Sequence, residues 1–185
     1  MGFFERVVGR TNGKRLTGLI LIEGVRLMVE GSVIIRQARE SDVDAIIAVT
    51  EEVFGPVSID AMIESMIGAP ASWIEIKGNT IRKELADNLS GAFIAELDGE
   101  LVGYATTSVN KIASRGIINN LAVRAKAQGH GVGRKLLTVA LEYFRSLKLE
   151  QAKIETLTIN MVGRHLYPSL GFKEVAQQVH YIMKL

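Results

Sequence analysis

The sequence has no cysteine, so it can form no disulfide, supply no thiolate to a metal and use no cysteine nucleophile. Its three histidines, His130, His165 and His180, lack the close spacing of metal ligands, and we predict no metal site. A long apolar run is also missing, because residues 16–22 fall far short of the roughly 20 that span a bilayer and precede no small-residue cleavage site. These absences favour a cytoplasmic protein with no membrane partner.

The composition is that of an ordinary globular domain. The 185 residues are 48% hydrophobic and 23% charged, which suits a single compact core. The formal net charge of +2 arises within residues 1–31, where five Lys or Arg face three Glu, so bulk charge does not predict nucleic-acid binding. We expect residues 1–31 to be an N-terminal extension. The sequence does not decide whether this extension is an added strand, a loose arm or the product of a misassigned start. Residues 32–185 would then form the functional domain.

The most informative motif is a glycine-rich loop, Gln128-Gly129-His130-Gly131-Val132-Gly133, ahead of an amphipathic run at residues 134–147. Glycines at alternate positions keep side chains away from the main chain, so consecutive N–H groups can converge at a helix N-terminus. That arrangement binds phosphate groups, although a plain glycine-rich turn has the same pattern. A Walker loop needs Gly-Lys-Ser/Thr, and a dinucleotide fingerprint needs glycine in place of Arg134 or Leu136, so neither is present.

Hydrophobic periodicity predicts an α/β domain with a mostly antiparallel sheet. The dipeptide Asp98-Gly99 between two alternating segments is a strong hairpin signal, and Ser41-Asp42-Val43-Asp44 predicts a capping box at the start of the first helix. We predict helices after this box, within residues 55–70 and 73–89, after the glycine loop, and around Leu166 and Tyr167. The predicted strands are residues 33–36, 92–97, 101–109, 116–123 and 152–159, with a closing hairpin or bent strand pair at 173–185.

One long segment lacks acidic residues. No Asp or Glu occurs between Glu100 and Glu142, and this segment should create a positive local field that favours an anionic ligand. A solvated basic face is the alternative interpretation. The segment contains six basic residues: Lys111, Arg115, Arg124, Lys126, Arg134 and Lys135.

Four motifs in a fixed order identify a family. They are Leu121-Ala122-Val123 in a strand, Gln128 with Gly131 and Gly133, Asn160 at the end of a strand, and Leu166-Tyr167-Pro168-Ser169-Leu170-Gly171-Phe172. With the Asp-Gly hairpin upstream, the chain resembles the GNAT superfamily of CoA-dependent N-acetyltransferases from about residue 33 to residue 185. The resemblance implies an α/β (α+β) GNAT fold with a mixed, mostly antiparallel sheet of about seven strands flanked by helices, in which strands four and five run parallel and splay apart.

The resemblance also implies acetyl-CoA as co-substrate and direct transfer of the acetyl group to the primary amine of a small molecule or a protein. Backbone groups of Leu121, Ala122 and Val123 would hold the pantetheine arm between the splayed strands. The N–H groups of the loop would hold the pyrophosphate, which assigns cofactor contacts to Gln128, Gly129, His130, Gly131, Val132, Gly133 and Arg134.

Two further residues take roles from the same resemblance. Tyr167 would donate a proton or hydrogen bond to the CoA sulfur, and Asn160 would position the cofactor. A buried aromatic side chain is the alternative for Tyr167, and a helix cap is the alternative for Asn160. Pro168 disfavours helical geometry at Tyr167, so its ring can sit differently from that of relatives.

The general base is not identified, because Asn119 and Asn120 stand where many relatives carry a carboxylate on the fourth strand. An amide cannot take a proton, and an alkyl ammonium with a pKa of about 10 is almost fully charged at neutral pH. We therefore favour an ordered water held by Asn119 or Asn120, with Asn120 assigned to the catalytic set. Lower-ranked bases are Glu96, Glu155 and His180, and Glu155 ranks low because strand alternation turns it away from Asn160.

The alternative function is a CoA-binding regulatory or structural module with little turnover, which the missing carboxylate keeps open. The sequence does not identify the acceptor amine, the use of other acyl groups, or the oligomeric state, for which a homodimer is one option.

Overall fold

The computed structural model describes residues 33–185 and, before them, four short strands: β1 (Arg10–Thr11), β2 (Lys14–Arg15), β3 (Leu19–Ile22) and β4 (Val25–Met28). These strands pair antiparallel as two separate hairpins, β1 with β2 and β3 with β4. The rest of our prediction for residues 1–31 lies outside the described residues.

Among the described residues, the main sheet has five strands in the order β5-β6-β7-β8-β9, antiparallel except for the parallel pair β8 and β9. This confirms the mixed sheet and its parallel fourth and fifth strands. The strands are β5 (Val33–Gln37), β6 (Phe93–Leu97), β7 (Glu100–Asn110), β8 (Arg115–Val123) and β9 (Gln151–Ile154). The helices are α1 (Val43–Phe54), α2 (Ile59–Ile67), α3 (Trp73–Asn88), α4 (Val132–Ser146) and α5 (Met161–Leu166).

The β6–β7 hairpin forms as predicted. Asp98 has a φ of 53° and Gly99 a φ of 82°, and Leu97 pairs directly with Glu100. Two successive positive φ values define the turn whose twist suits a two-residue hairpin, and Asp and Gly tolerate them best.

A bulge in β8 separates the two faces of the sheet. Thr106 of β7 pairs with Asn120 and Thr107 with Ile118, so Asn119 is the extra residue. Ile118 packs in the apolar cluster beneath α4, whereas Ala122 packs in the cluster beneath α1 and α3. The bulge therefore turns Asn120 and Ala122 toward α1 and α3.

Each face of the sheet carries its own core. On one face, the Phe144 ring of α4 lies so close to Gly116 that a Cβ atom there would sit 2.4 Å from it. On the other face, the buried side chains of α1 and α3 surround Tyr104, whose hydroxyl is hydrogen-bonded to Thr50 at 2.7 Å. Within the described part of the chain, no helix has the length and hydropathy to cross a bilayer.

Three predictions of local structure were wrong. The capping box at Ser41 and Asp44 does not form, because a short 3-10 turn precedes α1 and Asp42 accepts a hydrogen bond from the N–H of Arg39 instead. Strand β9 ends at Ile154 rather than at residue 159, since residues 155–160 leave the sheet and turn into α5. Residues 173–185 form neither helix nor strand, so the sheet built by the described part of the chain has five strands where the resemblance implied about seven.

Candidate active site

The sheet opens between β8 and β9. Their parallel pairing runs from Arg115 opposite Gln151 to Ile118 opposite Ile154 and stops there. Strand β8 continues to Val123, still paired with β7 on its other side. The last five residues of β8 thus present an edge with no neighbouring strand among the described residues, and this edge begins at the bulge.

The backbone of β8 alternates so that odd-numbered residues face the open edge. The N–H of Arg124 donates to the carbonyl of Val102 in β7, which directs the polar groups of Leu121 and Val123 to the opposite side. The side-chain amide of Gln128 donates to the carbonyl of Val123 at 2.9 Å, in agreement with this direction. Ala122 points its backbone groups toward β7 and its methyl group into the core, so it offers no polar group to the edge.

The glycine loop follows directly and opens α4. Gly129 and Gly131 have φ values of 77° and 74°, and a Cβ atom on either would meet nothing within 4 Å. Gly131 is the N-cap of α4, and no side chain caps the helix. The first N–H groups of the helix, from Val132 to Arg134, therefore point out of its N-terminus with no intrahelical partner.

Gln128 and His130 are engaged within the loop itself. The N–H of Gln128 donates to the carbonyl of Ala125, so the row of outward N–H groups begins after Gln128 rather than at it. The Nδ1 atom of His130 lies 2.9 Å from the carbonyl oxygen of Gln128. These contacts fix the loop, and the N-terminus of α4 provides the cradle that would accept a phosphate group.

The cradle adjoins the segment that carries Tyr167. A Cβ atom on Gly133 would lie 3.4 Å from Leu166 of α5, and the Nη2 atom of Arg134 donates to the Ser169 hydroxyl at 2.6 Å. Helix α5 and the short turn after it therefore pack against the first turn of α4, on the side of the sheet opening.

Tyr167 lies mostly buried beside Asn160. Burial raises the pKa of Tyr167 above the usual tyrosine value, and a hydrogen bond with Thr156 partly offsets this. Its backbone angles, φ −65° and ψ −47°, are helical, so the expected effect of Pro168 is not seen. Asn160 is the N-cap of α5: its Oδ1 accepts from the N–H of Gly163 at 3.1 Å and its Nδ2 donates to Thr156 at 2.9 Å. Both residues thus lie against Gly163, in the segment that packs on the first turn of α4.

Asn120 belongs to a buried polar cluster that the sequence did not reveal. Its Nδ2 donates to Glu84 Oε2 at 2.6 Å and to the Thr106 hydroxyl at 2.7 Å, and Thr106 also donates to Glu84 Oε2 at 2.8 Å. Burial raises the pKa of Glu84, while the hydrogen bonds and the positive charge of Lys77 act against it. Asn119, the bulged residue, instead accepts a hydrogen bond from Ser108 at 2.9 Å.

Glu84 was missed because it lies in helix α3, where we could predict little. A signal was present: Glu84 follows the buried Ile81 by three residues and precedes the buried Leu85 by one, so it falls at the margin of the apolar stripe of an amphipathic helix. A carboxylate at such a position needs partners, and the sequence alone does not show them.

Of the other residues considered as bases, Glu96 and Glu155 pair with basic side chains and His180 is exposed. Glu96 is bound by Arg36, whose guanidinium donates to it at 2.7 Å and to Asp42 at the same distance. Glu155 lies beyond the end of β9, where the alternation argument does not apply, and forms an ion pair with Lys153 at 2.7 Å. His180 is exposed in the segment without secondary structure.

The basic residues between Glu100 and Glu142 do not form one surface. Glu100 accepts hydrogen bonds from Arg124 and Lys126, each at 2.5 Å, and Glu52 pairs with Arg124 at 3.2 Å. Arg115 stands at the opposite end of β8 from the loop. At the usual rise per residue of a strand, the two ends are about 26 Å apart, and this distance exceeds the screening length of physiological salt. The positive field we expected at the loop is therefore weaker than the sequence implied.

Comparisons with known proteins agree with this geometry. A model of the acetyltransferase (GNAT) family matches residues 59–172. A mycothiol acetyltransferase of Streptomyces avermitilis is 30% identical over 131 residues, covering 67% of this chain and 42% of the relative. An N-alpha-acetyltransferase of Sulfurisphaera tokodaii is 29% identical over 100 residues, covering 48% of this chain and 60% of the relative.

A solved structure supports the fold. The crystal structure of the PaiA N-acetyltransferase from Thermoplasma acidophilum in complex with coenzyme A has a TM-score of 0.66 and 20% identity, over 80% of this chain and 93% of that one. The chain spans less than two thirds of the length of the two curated relatives. Because the family model covers more than half of its residues and the open β8 edge and glycine cradle accord with it, the chain belongs to the acetyltransferase (GNAT) family.

Proposed function

We propose that this protein transfers the acetyl group of acetyl-CoA directly to the nitrogen of a primary amine. The observation that carries the proposal is the continuity of the open β8 edge, from the bulge at Asn119 to the glycine loop at the N-terminus of α4. An extended chain ending in a diphosphate fits this shape, because a strand edge offers hydrogen bonds along its length and a helix N-terminus attracts the negative charge.

The donor is held mainly by backbone groups. The N–H of Leu121 and the N–H of Val123 serve the pantetheine arm, while Gln128 keeps the carbonyl of Val123 occupied and fixes the exit of the strand. The N–H groups from Gly129 to Arg134 serve the pyrophosphate. Ala122 offers no free N–H and only joins Leu121 to Val123 in the strand. Gln128 contributes through its side chain, because its N–H is already bonded.

The acceptor must lose a proton before it can attack. An alkyl ammonium has no lone pair, so a proton leaves its nitrogen before the nitrogen bonds to the thioester carbon. The carbon–sulfur bond then breaks, and the departing thiolate takes a proton from Tyr167, whose pKa is raised by burial. Asn120 orients the acceptor side of the site, and Asn160 holds Thr156 beside Tyr167.

The acceptor class is a primary amine on a small molecule or a protein. The two curated relatives are named a mycothiol acetyltransferase and an N-alpha-acetyltransferase, and these different names do not select one acceptor. A shallow depression lined by Gly55, Ala61, Met62, Ser65 and Met66 lies on α2 and shares no residue with the opening, so we do not place the acceptor there.

The test is thiol release from acetyl-CoA in the presence of spermidine, L-lysine or a peptide with a free N-terminal alanine. We expect at least one amine to be acetylated, with the product confirmed by mass spectrometry. In Tyr167→Phe, we expect turnover to fall about 100-fold with CoA affinity unchanged, because only proton donation is removed. Tight CoA binding without turnover of any amine would favour a regulatory CoA-binding module instead.

A further inference from the structure

We propose that Glu84 is the general base, which takes the proton of the acceptor ammonium at the start of the reaction. This inference rests on the proposed acetyl transfer and supplies the carboxylate that β8 lacks. The carboxylate comes from helix α3 rather than from the strand, and Asn120 fixes its position.

The position of Glu84 follows from three hydrogen bonds. Its Oε2 atom accepts from Asn120 and from Thr106, and Asn120 also donates to Thr106, which closes a three-membered cluster. Thr106 is 1% exposed and Asn120 3% exposed, so the cluster is anchored in the sheet. Asn120 is adjacent to the bulged Asn119, where β8 loses its partner β9. The carboxylate is thereby held next to the point where the sheet opens.

One oxygen of the carboxylate remains available. Both donors use Oε2, and no side chain or backbone group within residues 33–185 donates to Oε1. Glu84 is half-buried rather than enclosed, so a ligand can reach it.

The surroundings of Glu84 suit proton transfer. Lys77, two turns earlier on α3, is the charged group that acts on it. From β7 it is faced by the hydroxyls of Thr106 and Tyr104, the latter bonded to Thr50 of α1, and from β8 by the amide of Asn120. Burial raises the pKa of Glu84, and a carboxylate with a raised pKa is a stronger base than an exposed one.

The ammonium gives one proton to Oε1 of Glu84 and becomes a neutral amine, whose lone pair bonds to the thioester carbon. As the carbon–sulfur bond breaks, Tyr167 protonates the sulfur and is reprotonated by the second proton of the attacking nitrogen. The products are the N-acetylated amine and the free thiol, and Glu84 releases its proton to water.

The experiment compares Glu84→Gln with Asp87→Asn, a matched loss of an exposed carboxylate one turn later on the same helix. The assay uses the best amine from the panel above, across pH 6 to 10. For Glu84→Gln we expect kcat/KM near neutral pH to fall about 100-fold with unchanged CoA affinity. The difference in kcat/KM between Glu84→Gln and the unaltered protein should shrink as pH rises toward the pKa of the amine, because the substrate then arrives deprotonated. Asp87→Asn should match the unaltered protein.

The outcomes separate this inference from the proposed function. If the unaltered protein acetylates no amine, both are overturned. If it acetylates an amine and Glu84→Gln keeps its turnover, or loses an equal fraction at every pH, only the role of Glu84 is overturned. If Glu84→Gln no longer binds CoA, Glu84→Asp decides: reduced turnover with the acid limb of the pH profile retained supports the role, and unchanged turnover overturns it.

Discussion

Asn120 has its carboxamide nitrogen committed to two acceptors, Glu84 and Thr106, so its side chain has one orientation at the opening of the sheet. An asparagine in place of a strand carboxylate is therefore consistent with amine acetylation. The amide cannot accept a proton, but it can fix a carboxylate that approaches from a helix. The two residues together do what one strand carboxylate would do.

Gly131 allows the phosphate cradle to be tested by two single substitutions, one that adds only a methyl group and one that adds a negative charge. Its φ of 74° costs any other residue about 1–2 kcal/mol, yet the space around its missing Cβ is empty. We expect Gly131→Ala to retain CoA binding within about threefold, and Gly131→Glu to weaken it at least about tenfold, because only the glutamate adds negative charge at the helix N-terminus. Isothermal titration with CoA measures both, and equal affinities would contradict a phosphate cradle.

At the level of elements, one arginine connects three of them. Arg36 of β5 donates to Asp42 at the start of α1 and to Glu96 of β6. These three side chains are largely shielded from water, so their attraction is weakly screened. The interaction with Arg36 lowers the pKa of Asp42 below its usual value.

This ion cluster predicts how stability depends on pH. Because the pKa of Asp42 is lower in the folded protein than in the unfolded chain, its contribution is present above the unfolded value, about 3.9, and is lost as pH falls through the folded value. We expect Asp42→Asn to destabilise the fold by about 1–3 kcal/mol at pH 7 and to reduce the loss of stability on going to pH 3. Thermal unfolding at both pH values tests this.

The control for this prediction is Asp44→Asn. Asp44 is two residues further along, its side chain is 96% exposed, and its nearest cationic atom, in Arg82, is 3.9 Å away. We expect its substitution to change stability by less than about 0.5 kcal/mol at either pH. If the two variants unfold alike, the Arg36 cluster does not stabilise the protein in this way.

Several elements could be predicted from local signals and others could not. The Asp98-Gly99 turn and helix α4 depend on residues close together in the chain, and both were predicted within one or two positions. The length of β9 and the state of residues 173–185 depend on strand pairing, which residues far away decide. Periodicity could show that a segment suits a strand, but not whether a partner edge receives it.

At the scale of the whole molecule, the sheet separates two cores, and the described residues of both lie between Val33 and Phe172. The site is likewise built from this region. Strand β4 contacts α4, so part of the preceding segment touches the domain. We therefore propose that residues 32–185 are the functional domain.

A fragment of residues 32–185 should bind CoA with an affinity within about twofold of the full chain, since a domain with its own core can fold alone. Its melting temperature should fall by a few degrees, because the contact of β4 with α4 is lost. Circular dichroism and CoA titration measure the two effects. A fragment that is folded but does not bind CoA would show that residues 1–31 take part in the site.

The sequence by itself determined the glycine loop, the amphipathic helix behind it, the Asp-Gly hairpin and the order of motifs that indicated the family. These are local patterns, and the backbone preferences that create them act over a few residues. The tertiary structure alone decided that Glu84 meets Asn120 across 36 residues of sequence, that the bulge at Asn119 coincides with the opening of the sheet, and that Glu100 and Glu52 neutralise Arg124. Such contacts depend on how a helix packs on a sheet, and packing is a property of the assembled core rather than of any one segment.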